Sequence, residues 1–125
     1  MNNKQLELAL IDLDEVIRNL STPNWDGYNA EPISSVIIDN AIAFIRLIPK
    51  DVHTPFISAD PNGSIIYKWY KDAECILSVT VDVDSLLCYS NLKWKKKWDS
   101  MQFNKYTKEL SKKIVDVFEK FNKEV

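Results

Sequence analysis

Apolar residues recur at helical spacing near the start of the chain: Leu6, Ala9, Leu10, Leu13, Val16, Ile17 and Leu20. That spacing places them on one stripe of an α-helix, with Glu7, Asp12, Glu15 and Arg18 mostly off it. It predicts a first helix from about Asn3 to Leu20, started by Asn2 or Asn3, whose side chains can accept from the free N–H groups of the first turn. Pro23 fixes its own φ and pushes Thr22 out of helical geometry, so the helix ends there. A second helical pattern follows Pro32, with Ser34 as the capping residue. Ile37, Ile38, Ala41, Ile42, Ile45 and Ile48 share a face that Val36, Phe44 and Leu47 widen, so this helix is expected to be the more buried of the two. Pro49 stops it, and residues 50–55 read as a connection.

The period then changes to two. Phe56 to Ala59 reads as a short strand, and Asp60-Pro61-Asn62-Gly63 is a strong turn signal. From Ser64 to Tyr70, Ile65, Tyr67 and Trp69 fall on one face and Ile66, Lys68 and Tyr70 on the other. From Cys75 to Val81, Cys75, Leu77, Val79 and Val81 point inward. Turns are expected at Lys71–Glu74 and Asp82–Ser85. Leu86 to Leu92 is a fourth strand with apolar residues on both faces, so its orientation is open. The helical period returns from about Asn104 to Lys123, with Tyr106, Leu110, Ile114, Val117, Phe118 and Phe121 on one side and lysines on the rest. Short connections favour antiparallel neighbours. The expected fold is α+β over one domain, residues 1–125: two N-terminal helices, an antiparallel meander of four to five strands, and a C-terminal helix packed on the sheet.

Between the first two helices lies Asn24-Trp25-Asp26-Gly27-Tyr28-Asn29-Ala30-Glu31-Pro32-Ile33. A solvated linker rarely contains a Trp and a Tyr. The stretch is expected to be an ordered loop, with Asp26-Gly27 as a turn pair and Trp25 packed on the body of the protein. Emptying a buried Trp site costs about 3–5 kcal/mol. The other reading is a recognition loop carried on a scaffold, with Trp25, Asp26, Gly27 and Tyr28 as contacts.

Asn24-Trp25-Asp26-Gly27-Tyr28, with Ala30 and Pro32-Ile33, resembles the opening motif of a family of small bacterial proteins, Asn-Trp-Asp-Gly-any-Gly-Ala-any-Pro-Ile/Val. The likeness extends to the Asp60–Gly63 turn, to Trp69, and to Leu87 and Tyr89, covering roughly residues 22 to 92. Asn29 stands where the family pattern has Gly, and Asn tolerates the left-handed conformation better than most residues. The resemblance carries no catalytic residue. It implies an accessory protein on mobile or defence-related DNA.

A chain of 125 residues can bury a core without staples, and 46% hydrophobic with 27% charged residues is the composition of a globular protein. The N-terminal stretch lacks a basic-then-apolar leader pattern, and no apolar run is long enough for a membrane span. Cys75 and Cys88 fall within strands without metal-ligand spacing, so a cytoplasmic protein with two buried, reduced thiols is expected. His53, the only histidine, reads as a solvated loop residue. With glycines only at 27 and 63 there is no phosphate-cradling loop. Asp82-Val83-Asp84 begins like a calcium loop but lacks the later Gly and Glu. No cofactor and no metal site are expected.

Net charge is −2, but residues 1–92 hold 6 basic and 13 acidic side chains, while residues 93–125 hold 10 and 5. The basic part opens with Lys93-Trp94-Lys95-Lys96-Lys97-Trp98. Ammonium groups interleaved with aromatics can hold a phosphate backbone and stack bases, or meet an acidic protein. They also suit an edge strand whose tryptophans cover the core while its lysines block edge-to-edge pairing. The leading expectation is a non-enzymatic protein-binding module, an inhibitor, antitoxin or immunity-like protein of a defence or mobile-element system. Its partner would be acidic or co-encoded, contacted by Lys93, Trp94, Lys95, Lys96, Lys97 and Trp98. The alternative is a nucleic-acid-binding accessory protein using the same segment. A third is an enzyme with a site assembled from scattered acids.

Overall fold

The structure is a computed structural model. It describes the chain apart from residues 22–24, 26, 28–31, 73, 94, 103–107 and 124–125, and apart from the side chains at 102 and 108–111. Its elements run α1 (Asn3–Asn19), α2 (Ser35–Leu47), β1 (Phe56–Ala59), β2 (Ile65–Asp72), β3 (Cys75–Val81), β4 (Ser85–Leu92), β5 (Lys95–Gln102) and α3 (Lys108–Lys123). The strands form one antiparallel sheet in sequence order, β1-β2-β3-β4-β5. This is the expected α+β meander, with five strands. Tyr106 lies outside the described residues, as does the side chain of Leu110. Among the described residues no helix is long and apolar enough to cross a membrane.

Local chemistry starts each element. Asn2 Oδ1 accepts from the Gln5 N–H at 2.8 Å while Gln5 Oε1 accepts from the Asn2 N–H at 2.9 Å. This reciprocal box satisfies two donors that a helix start leaves free. Ser34 Oγ accepts from the Ile37 N–H at 3.2 Å and caps α2. In the β1–β2 turn the Gly63 N–H donates to the Asp60 carbonyl at 2.9 Å, and Asp60 and Asn62 side chains accept from the amides of Asn62 and Ser64. Gly63 sits at φ +96°, a backbone position that disfavours a side chain.

One column of rings joins the layers. Phe44 of α2 meets Tyr67 of β2 at 5.2 Å between centroids, Tyr67 stacks on Trp69 at 6.3 Å, and Trp69 meets the edge of Phe118 of α3 at 4.8 Å. The polar tips are satisfied: Tyr67 donates to the Ala41 carbonyl at 2.9 Å and Trp69 Nε1 to the His53 carbonyl at 2.8 Å. Burial pushes the Tyr67 hydroxyl well above the ordinary tyrosine range. Buried Leu77, Val79 and Val81 extend the same face into β3, and Ile114 and Phe121 of α3 join the core. Lys71, at the end of β2, lies over the Phe121 ring at 5.1 Å. Helix α1 packs on α2 and β1, burying Ala9 and Leu13. Val36, expected to widen the apolar face of α2, is instead exposed; the buried stripe is Ile37, Ala41, Phe44 and Ile45.

The Ile33 N–H donates to the Leu20 carbonyl at 3.1 Å, closing the loop between α1 and α2 at its base. Trp25 is half-buried and packs on the core rather than being enclosed by it. Gly27 is exposed at φ +78°. Asp26 and Tyr28 lie outside the described residues.

Candidate functional site

The basic-aromatic segment is not one continuous extended stretch. Leu92 and Lys95 are paired across β4 and β5, so the chain reverses between them, at Lys93. Lys93 sits at φ +49°, the left-handed region that such hairpin turns demand. Its N–H donates to the Glu74 carbonyl at 3.0 Å, which ties this turn to the β2–β3 turn beside it. Trp94 lies outside the described residues. The sequence offered no Gly, Asn or Asp to mark this turn, which is why it read as extended.

From Lys95 the chain is the edge strand β5, and the pleat deals its side chains to opposite faces. Register fixes which. Val79 is paired with Cys88 and Cys88 with Asp99; Val81 is paired with Leu86 and Leu86 with Met101. Since Val79 and Val81 face the helices, so do Cys88, Leu86, Met101 and Asp99, and with them Lys95 and Lys97. The same register resolves β4: Leu86 and Cys88 turn inward, Leu87 and Tyr89 outward.

The outer face is lined by rows that cross the sheet. Phe56, Lys68, Ser78, Tyr89 and Trp98 are paired in succession from β1 to β5. Beside them run Ser58, Ile66, Thr80, Leu87 and Ser100 on one side, and Tyr70, Ile76, Asn91 and Lys96 on the other. Trp98 meets Tyr89 at 4.3 Å between centroids yet is 63% exposed, and Phe56 is 68% and Tyr70 52% exposed. Trp98 therefore does not cover the core, contrary to the edge-strand reading. None of these outward positions carries a carboxylate, although the chain holds 18. Antiparallel sheets with one solvated face normally alternate apolar-in and polar-out. Here the outward set mixes Phe56, Tyr70, Tyr89 and Trp98 with the aliphatics Ile66, Ile76 and Leu87 among polar residues. The sequence signal was present at Tyr70, Leu87 and Tyr89, and needed only the register to become a surface.

On the inner side, Lys95, Lys97 and Asp99 face Lys113, Asp116 and Lys120 of α3 across a groove of about 590 Å³. Lys97 and Asp99 are 3.7 Å apart. Cys88 lies in the floor; burial, and secondarily the Asp99 carboxylate, push its thiol up to about 12. Cys75 and Cys88 are both buried and free. The side chain of His53 is exposed, and its carbonyl serves Trp69. Among the described residues no three His, Cys, Asp or Glu side chains gather as a metal site would require. No protein-family model, curated protein or solved structure matches this chain.

Proposed function

We propose that the chain is a non-enzymatic protein-binding module whose contact surface is the outer face of the sheet. The observation that carries this reading is the row from Phe56 through Lys68, Ser78 and Tyr89 to Trp98, which holds no carboxylate and ends in an exposed aromatic at each edge of the sheet. Exposed aromatics on a rigid face are frequent anchors of a protein interface. Lys68 and Lys96 among them select a partner with an apolar patch and carboxylates at its edge, because opposite charge steers encounter and suppresses wrong partners. An inhibitor, antitoxin or immunity-like role is the form of this reading that the Asn24–Ile33 resemblance adds, and it makes a co-encoded protein the first partner to try.

Co-expression with the product of the adjacent gene, followed by size-exclusion chromatography, tests it. A stable complex is expected for the parent chain and not for Phe56→Ser with Trp98→Ser. Replacing Lys95, Lys96 and Lys97 together by Glu should leave the circular dichroism unchanged, since exposed lysines each contribute only a few tenths of a kcal/mol, about the usual surface range. It should slow association and flatten its salt dependence. With the register known, Lys96→Glu alone should account for most of that effect. A complex indifferent to both sets of changes would place the interface elsewhere.

The Tyr89–Trp98 ring pair beside Lys96 supports a second reading, single-stranded nucleic acid stacked on the sheet. Its weakness is the net charge of −2. A mobility shift at low salt that Trp98→Ala abolishes would favour it over the protein partner.

A further inference from the structure

The groove behind β5 is chemically unlike the outer face. Its floor is apolar: Leu77, Cys88 and Met101 are buried, and Leu92 and Val117 are partly buried. Its rim carries the ammonium groups of Lys95, Lys97, Lys113 and Lys120 against only two carboxylates, Asp99 and Asp116. The Lys97–Asp99 pair at 3.7 Å is largely exposed and takes one charge of each sign. Among the described residues Lys95, Lys113 and Lys120 make no ion pair within 4 Å. Packing a helix on a sheet does not require cations gathered around an apolar floor, and like charges brought together repel. A volume of about 590 Å³ lies within the range of small-molecule sites.

We propose that this groove binds a small amphipathic anion. Its apolar chain lies over Leu77, Met101 and Val117, and its carboxylate or phosphate head is held by Lys95, Lys113 and Lys120. Such a ligand supplies the negative charge the rim lacks and covers the apolar floor at the same time. Ammonium–anion contacts over a low-dielectric floor are stronger than the same contacts in open water. The site lies on the opposite side of β5 from the proposed partner surface and stands independently of it.

Isothermal titration of the full chain with octyl phosphate and with octanoate, both as free monomers, tests the proposal. Octanol, inorganic phosphate and phosphatidylglycerol vesicles serve as comparators. The expected result is saturable binding of one amphiphile per chain, weakened by salt and at least tenfold weaker in Lys95→Gln with Lys120→Gln. Trp98→Ala should bind as the parent does, which separates this site from the outer face. Far-UV circular dichroism confirms that the Gln variants fold. Any one of four results would overturn it: no saturable binding of either amphiphile, equal binding of octanol or of inorganic phosphate, affinity unchanged in the Gln variants, or adsorption to vesicles with no binding of the free amphiphiles. The preference between octyl phosphate and octanoate then identifies the head group.

Discussion

Trp69 and Trp98 lie on opposite faces of one sheet, each beside a tyrosine, stacked on Tyr67 in one case and tilted against Tyr89 in the other. Trp69 is fully buried, its indole N–H donates to the His53 carbonyl, and Phe118 of α3 closes over it. Trp98 is mostly exposed. A Trp whose ring and N–H are both used inside the chain holds layers together. One whose ring lies open on a rigid strand contributes little to folding and remains available to a partner. The difference comes from where the helices sit. Helices α2 and α3 meet the Tyr67–Trp69 side, and among the described residues nothing covers the other.

The largest expected effect breaks the inner column. Trp69→Ala should cost about 3–5 kcal/mol, and it also removes the donor to the His53 carbonyl. Trp98→Ala should change stability by no more than about 0.5–1 kcal/mol, the range of an exposed substitution. Urea unfolding of both measures the contrast, and equal costs would mean that the outer row belongs to the core after all.

The next effect uses pH. Cys88 holds its proton in the folded chain up to about 12, against 9.0 for an ordinary thiol. Between those values the folded state binds more protons than the unfolded state, so stability is fully present below the lower one and falls as pH rises. The slope approaches about 1.4 kcal/mol per pH unit. Cys88→Ala should flatten the loss just above pH 9.0, before Tyr67 begins to contribute from its ordinary 10.0. Chemical unfolding at stepped pH reads it directly. An unchanged slope would show that the inner face at β4 is wetter than its register implies.

Trp25 lies between the two cases, half-buried and packed on the core's edge. Trp25→Ala should cost about 1–3 kcal/mol, less than for a fully enclosed aromatic. A thermal midpoint unchanged by the substitution, together with lost partner binding, would move Trp25 from anchor to recognition residue. The smallest effect is a gain. Lys93 occupies a left-handed position where Asn is more at ease, so Lys93→Asn should raise stability by roughly 0.5–1 kcal/mol. A loss in the thermal melt would mean that the lysine's own contacts outweigh the strain of the turn.

Helical spacing, caps and turn chemistry made most of the fold legible. Asn2 and Ser34 cap as their residue types require, Asp60–Gly63 turns, and Ile65, Tyr67 and Trp69 share one face of β2. The reversal between β4 and β5 at Lys93 was not legible, because the segment carries none of the residues that announce a turn. Period-two alternation shows that Leu86 and Leu87 face opposite ways, yet when both are apolar it cannot say which faces in. Residue pattern alone therefore determined the three helices, the first four strands, their order and the inward face of β3. Tertiary structure decided the rest: pairing Val79 with Cys88 and Cys88 with Asp99 sent Lys95 and Lys97 toward α3, and Lys96 and Trp98 outward. The physical reason is that a side chain's direction in a strand is relative to its neighbour's. It becomes absolute only when hydrogen-bonded register links it to a strand whose buried face is unambiguous.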